Sequence, residues 1–255
     1  PYLAGVMGAS WIQGVQGKGV GTSLKHYAAN NQEQDRMMGN SMVDERALRE
    51  IYLSAFETAV KESRPDTVMC SYNKINGTFS SDNRRLLTDI LRDEWGFQGM
   101  VVTDWGAMND RVKAFQAGCD LEMPSSNGMF DAAVKQAVDE GRLSEADIDA
   151  CVERIIRLAL KAQETRKGHG EQYPFDVDAH HRLAQEIAEE SAVLLKNEEA
   201  ILPLKKTARI ALCGAMAETV RYQGAGSSHI NPTRLSSLRA ALEAAGGNLA
   251  YYPVY

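Results

Sequence analysis

The chain has 255 residues, 44% of them hydrophobic and 24% charged, with a net charge of -6, enough material for one large buried core or two smaller ones and no signature of disorder. A negative balance without a cluster of Lys and Arg excludes a nucleic-acid surface, because phosphate binding needs concentrated cations. The longest apolar runs are strand-sized, so none spans a bilayer, and neither nucleic acid nor a membrane is expected as a partner.

Cys70, Cys119, Cys151 and Cys213 show no Cys-x-x-Cys pairing, and three of them lie within apolar patterns. They read as buried free thiols, which favours a reducing compartment such as the cytoplasm. The opening Pro1-Tyr2-Leu3-Ala4-Gly5 has neither a basic n-region nor an apolar h-region, so no targeting signal is legible there.

In chain order, Leu3, Val6, Met7, Trp11, Ile12 and Val15 give a short helical pattern, followed by a glycine-rich turn from Gly17 to Gly21. These glycines precede the strand at Thr22-Ser23-Leu24, whereas a phosphate cradle follows a strand and opens a helix, so they read as an ordinary loop. The strand runs out into Lys25, His26 and Tyr27, then Asn30, Asn31, Gln32, Glu33, Asp35 and Arg36. Surface turns favour Gly, Pro and Ser, so this density of polar and ionisable groups reads as the lining of a site.

Ser41 precedes a helix of several turns in which Ala47, Leu48, Ile51, Tyr52, Ala55, Phe56, Ala59 and Val60 recur at helical spacing. Glu45, Arg46, Arg49 and Glu50 read as a charged face with i,i+4 pairs. After Pro65, the strand Thr67-Val68-Met69-Cys70 again ends in polar residues, Ser71, Tyr72, Asn73 and Lys74, with Asn76-Gly77 beyond. A helix from Arg84 to Glu94 stops at Gly96. The strand Gly99 to Thr103 then delivers Asp104, Trp105 and Gly106. A carboxylate placed where an apolar strand ends sits at the rim of a sheet or barrel, where parallel α/β folds build their sites. Asp104 is therefore the first candidate for a catalytic group. Cys119 to Pro124 reads as a fourth, shorter strand whose acids anchor loops.

The unit of strand, polar tip and helix repeats every 30 to 45 residues or so, the βα period of parallel α/β folds. About four units are present where a closed barrel needs eight. From Asp131 the pattern turns to helices: Ala132 to Glu140, Ser144 to Lys161 opened by a Ser144-x-x-Asp147 capping box, and His180 to Lys196. His180-His181 has no third ligand at suitable spacing, so no metal is expected. Ile201 to Lys206 reads as a linker, after which a new βα unit begins: strand Arg209 to Cys213, helix Arg234 to Ala245, and a strand Leu249 to Tyr252.

The ordered set Lys25-His26-Tyr27, Asn31-Gln32-Glu33 with Arg36, Glu45 to Tyr52, Met69-Cys70-Ser71-Tyr72-Asn73, Leu86-Leu87-Thr88, Leu91 to Phe97 and Thr103-Asp104-Trp105 resembles the β-glucosidases of glycoside hydrolase family 3. Ser191 to Asn197, Leu202-Pro203-Leu204 and Gly224-Ala225-Gly226-Ser227-Ser228 resemble that family's bridge into its second domain. The resemblance implies an α/β fold, the C-terminal half of a (β/α)8 TIM-type barrel followed by the start of an α/β sandwich domain. Its divisions are a partial barrel over 1–165, a bridging helix and linker over 166–207, and the sandwich from 208 to 255.

It also implies a retaining mechanism on β-D-glucosides, with Asp104 attacking the anomeric carbon to form a covalent glycosyl-enzyme. Lys25, His26, Arg36 and Tyr72 match the positions that hold the non-reducing sugar, Trp105 matches the aromatic wall beneath it, and Ser227 a position where the second domain leans over the site. No cofactor and no metal are implied. The family's first barrel strands would precede Pro1 and its acid/base glutamate would follow Tyr255, so the chain is expected to carry the nucleophile half of the site and to be inactive alone. Three other readings remain: a β-xylosidase or α-L-arabinofuranosidase of the same family, a Schiff-base lyase using Lys25, and a sugar-binding module derived from a hydrolase. The pentosidase branch tends to carry a cysteine where Trp105 stands.

Overall fold

Residue pattern and neighbour contacts together set how the elements lie. In the computed structural model, which describes residues 1–169, 175–224 and 226–254, α1 (Tyr2–Gln16) leads into β1 (Ser23–Tyr27). α1 packs through Gly5, Ala9 and Ile12, leaving Leu3, Met7 and Trp11 exposed. The small residues decide this: a Cβ on Gly5 would lie 2.8 Å from the Thr58 Cβ, so the larger side chains turn outward.

β2 (Asn40–Ser41) comes next, and then a continuous helical run made of α2 (Glu45–Ala47), a π-helical stretch Leu48–Leu53 and α3 (Ser54–Ser63). The run starts at Asp44 rather than at Ser41. Asp44 has extended backbone angles and its carboxylate accepts the Ala47 N–H, whereas the Ser41 hydroxyl donates to the Ala29 carbonyl. β3 (Thr67–Cys70) follows, then the hairpin of β4 (Lys74–Ile75) and β5 (Thr78–Phe79). Its turn residues Asn76 and Gly77 have φ of 49° and 93°, the two positive values a type I′ turn requires.

A 3-10 turn, Ser80–Asp82, and a π-helix, Arg85–Glu94, lead to β6 (Met100–Thr103). Gly99 lets β6 start close beside β3, because a Cβ there would lie 2.3 Å from the Asp66 carbonyl oxygen. α4 (Arg111–Ala117), α5 (Asp131–Asp139) and α6 (Glu145–His169) complete the first compact unit, Pro1–Gln172.

β1, β3 and β6 form a parallel sheet in that order, with Thr67 to Cys70 registered on Met100 to Thr103. Every residue of β6 is buried, as expected of a parallel strand covered on both faces. On one face Val68, Cys70 and Val101 join Leu53, Leu87, Ile90 and Leu91 of the helical layer. On the other, Met69, Met100 and Val102 pack with Ile155 and Leu158 of α6. This period-two split is the physical content of the apolar strand pattern.

The expected strand from Cys119 to Pro124 is reduced to one parallel bridge between Val102 and Leu121. Beyond Leu121 the Thr103 hydroxyl, not a strand carbonyl, accepts the Met123 N–H at 2.9 Å, and the ladder ends.

The second unit, Tyr173–Tyr255, contains α7 (Val177–Ser191), β7 (Arg209–Cys213), α8 (Leu238–Ala244) and β8 (Asn248–Tyr252), with β7 and β8 parallel and in register from Arg209 and Asn248. α7 is shorter than its pattern, because the chain turns extended at Ala192. α8 starts late because Ser237, whose hydroxyl accepts the Ala240 N–H, is the cap. Cys70, Cys119 and Cys151 are buried free thiols, and Cys213 is exposed because it faces outward at the end of β7. Among the described residues no helix is long and apolar enough to cross a membrane.

Candidate active site

Three parallel strands end at one rim, β3 and β6 in unbroken register and β1 with an irregularity between Leu24 and Tyr27, and their ends carry the candidate residues. β1 supplies Lys25 and His26, the residues just after β3 supply Tyr72, and those just after β6 supply Asp104 and Trp105. The Asp104 N–H donates to the Cys70 carbonyl at 3.2 Å, which fixes the carboxylate against the tip of β3.

Asp104 is only 8% exposed. Its Oδ1 accepts the Trp105 N–H at 2.7 Å, and its Oδ2 lies 3.5 Å from His26 Nε2. The Tyr72 hydroxyl donates to the Trp105 carbonyl at 2.9 Å. Arg36 lies over the Tyr72 ring, 4.9 Å from its centroid, and its Nη1 is 2.9 Å from Glu33 Oε2. Lys25 is exposed next to His26. Asp104, His26, Tyr72 and Arg36 thus come together although 78 residues separate the first two in sequence, as their numbers give directly. Ser227 lies in the second unit, in the exposed 3-10 turn Gly226–Ser228; Ala225 of the same motif is outside the described residues.

Two groups here depart from their ordinary ionisation. Burial pushes the Tyr72 hydroxyl up, and the neighbouring Asp104 charge adds to the effect. Burial lowers His26 below its usual 6.5, with Lys25 and Arg36 in the same sense outweighing the pull of Asp104. His26 is therefore neutral at pH 7, and the folded chain takes its proton less readily than the unfolded chain. The sign follows from linkage: this stability is present above pH 6.5 and is lost as pH falls toward the lower folded value. His26→Gln is accordingly expected to flatten the fall of Tm between about pH 7 and pH 5. Thermal scans across that range check it, and an unchanged slope would contradict it.

The other acids of the region have structural duties. Glu45 pairs with Arg49 and Arg85 on the surface, Glu122 accepts from the Ser126 hydroxyl at 3.0 Å, and Glu33 holds Arg36. A cavity of about 540 Å³ opens at the opposite, N-terminal ends of β3 and β6, lined by Arg64, Asp66, Trp95, Met100 and Lys161 among others. Parallel βα folds place their chemistry at the other end of the strands, where Asp104 is.

Sequence reasoning missed two features. One is the burial of Asp120, read from the sequence only as a loop anchor, between Arg92 and Arg154. The other is a polar bracket under the strand tips. The Ser71 hydroxyl donates to the Ala28 carbonyl and meets Ser80 Oγ at 2.8 Å, and the Ser81 hydroxyl lies 3.3 Å from the Ala107 carbonyl. The one signal available was the Ser80-Ser81-Asp82 run, since such residues bond nearby backbone.

A sheet arc of parallel βα units with a shielded carboxylate at a strand's C-terminal end places the first unit among (β/α)8-barrel enzyme scaffolds. Family models narrow this: residues 1–158 match the glycosyl hydrolase family 3 N terminal domain, and residues 192–249 its C-terminal domain. The chain belongs to glycosyl hydrolase family 3, and its first unit matches the family's TIM-barrel-type N-terminal domain.

It is 54% identical, over all of its length, to 34% of the thermostable beta-glucosidase B of Acetivibrio thermocellus. It is 48% identical, over 99% of its length, to 34% of an exo-alpha-(1->6)-L-arabinopyranosidase of Bifidobacterium breve. A solved beta-glucosidase of Bifidobacterium adolescentis superposes with a TM-score of 0.91 at 50% identity, covering 99% of this chain and 37% of that one. The chain thus spans about a third of the length of the curated relatives it matches.

Proposed function

We propose that the protein is a retaining glycosidase that removes terminal non-reducing β-D-glucosyl residues, with Asp104 as nucleophile. The observation that carries this is the placement of Asp104: shielded from solvent, at the end of β6, with one oxygen toward His26. In the first step an Asp104 oxygen bonds to the anomeric carbon while the bond from that carbon to the aglycone oxygen breaks. The aglycone oxygen leaves with a proton taken from a general acid. In the second step water gives a proton to that same group, now acting as base, and attacks the anomeric carbon of the glycosyl ester, releasing glucose and restoring the carboxylate, which gives net retention.

Lys25, neutral His26 and Arg36 supply hydrogen bonds to sugar hydroxyls that strengthen as charge develops on the ring. Trp105, 53% exposed, offers an indole face to the sugar's C–H surface. Ser227 comes from the second domain in this reading, whose divisions are the barrel portion 1–165, the bridge 166–207 and the sandwich 208–255.

A second reading is favoured by the arabinopyranosidase relative: the same site acting on a pyranoside that lacks the exocyclic hydroxymethyl group. One labelling experiment separates the two. An activated 2-deoxy-2-fluoro-β-D-glucoside needs no proton donor for its leaving group, and it is expected to esterify Asp104 in the complete protein. Mass mapping of the labelled peptide reads the result. Label on Lys25 or on no residue overturns the proposal, and faster labelling by the corresponding fluorinated α-L-arabinopyranoside selects the second reading.

A further inference from the structure

Trp105 is held through its main chain. Its indole has no aromatic or cation–π partner among the described residues, so the position of the ring depends on what anchors the segment Trp105 to Asn109. Three anchors come from the site itself: Tyr72 donates to the Trp105 carbonyl, the Trp105 N–H donates to Asp104, and the Gly106 N–H donates to the Met123 carbonyl at 2.9 Å. The far end of the segment is gripped from the Ser80–Asp82 turn. Asn109 Nδ2 donates to Asp82 Oδ2 at 2.7 Å, the Ser81 hydroxyl donates to Asp82 Oδ1 at 2.9 Å, and the same hydroxyl lies 3.3 Å from the Ala107 carbonyl.

That turn is itself rigidly placed. Ser80 and Ser81 are fully buried, and Ser80 donates to the Asn73 carbonyl at 2.9 Å while meeting the Ser71 hydroxyl, which is bonded to the carbonyl after β1. One polar chain therefore runs from the tip of β1, through the tip of β3, to the loop after β6. Asp82 is its half-buried, ionisable end, and the mechanism above does not use it. Burial raises its affinity for a proton, while Asn109, Ser81 and the Asp110 N–H oppose this.

We infer that Asp82, through its bond to Asn109, is a positioning residue for Trp105, holding the indole at the height where it meets a bound sugar. This rests on the glycosidase reading, since it is that reading which gives Trp105 a sugar to meet. A charge-assisted bond to a carboxylate is stronger than a neutral one, so its loss frees the loop without touching Asp104.

The test is steady-state hydrolysis of an aryl β-D-glucoside by the complete protein and its Asp82→Ala, Asp82→Asn, Asn109→Ala and doubly substituted Asp82→Ala/Asn109→Ala variants. Asn109 is exposed, so its substitution leaves folding intact. Asp82→Ala and Asn109→Ala are each expected to raise KM about tenfold with kcat within about threefold, the loss of one charge-assisted bond felt in binding. The double variant should be no worse than either single one, the mark of a shared contact. Asp82→Asn, which keeps one acceptor oxygen but loses the charge, should lie between the parent and Asp82→Ala. Amide exchange of residues 106–109 should quicken about tenfold in both alanine variants, whether or not the parent turns over. Unchanged exchange, or a lowered Tm with unchanged KM, overturns the inference. A parent without hydrolysis overturns the glycosidase reading instead, and the exchange measurement then decides the anchoring alone.

Discussion

Asp104→Ala in the complete protein is expected to lower hydrolysis of aryl β-D-glucosides by about 10⁴- to 10⁶-fold, the scale seen when a covalent nucleophile is removed. The loss should fall on kcat, because the polar groups proposed to bind the sugar come from elsewhere in the chain: Lys25 and His26 from β1, Arg36 from the segment after it. Removing the carboxylate leaves a gap beneath the anomeric carbon, and azide is small enough to enter it. Added azide is expected to restore turnover of substrates with good leaving groups and to yield the α-glucosyl azide, since attack then occurs once, with inversion. Recovery of only β-configured product, or a variant retaining more than a tenth of the parental rate, would show that another group does the chemistry.

Asp120→Asn is expected to cost about 3–5 kcal/mol of stability, the range for breaking a buried charge pair from one side. Asp120 is 0% exposed at its side chain, with Arg154 Nη2 at 2.7 Å and Arg92 Nη2 at 2.9 Å. Its Oδ2 also accepts the Val101 N–H at 2.6 Å. That last bond explains the residue's place in the fold. Beside β6 the fourth strand amounts to a single bridge, so the carboxylate supplies to β6 the acceptor that a strand carbonyl would have given. The amide of asparagine keeps one acceptor but leaves two guanidinium groups facing each other without compensation. A urea midpoint lowered at unchanged slope is the expected readout, and a change below about 1 kcal/mol would sink the assignment.

Much of the first unit was legible before any coordinates. Apolar strands ending in polar residues gave β1, β3 and β6 in the right order, because these signals are local and each has a backbone cause. Helix starts were less legible. Ser41 and Asp44 are both capping residue types, and only the fold shows that Ser41 is already committed to the Ala29 carbonyl. The outward turn of Leu3, Met7 and Trp11 on α1 was likewise beyond reach of periodicity, since it follows from the contact of Gly5 with Thr58.

By itself the sequence determined the family, the parallel βα order and the carboxylate at the end of a strand, because motifs and period-two burial are properties of short stretches of chain. The convergence of Asp104 with His26, Tyr72 and Arg36, the burial of Asp120 between two arginines, and the grip of Asp82 on the Trp105 loop were decided by tertiary structure. Each joins residues that meet only once the strands take their register and the helices and loops pack around them, and register depends on both packed faces of the sheet at once, which no single stretch of sequence records.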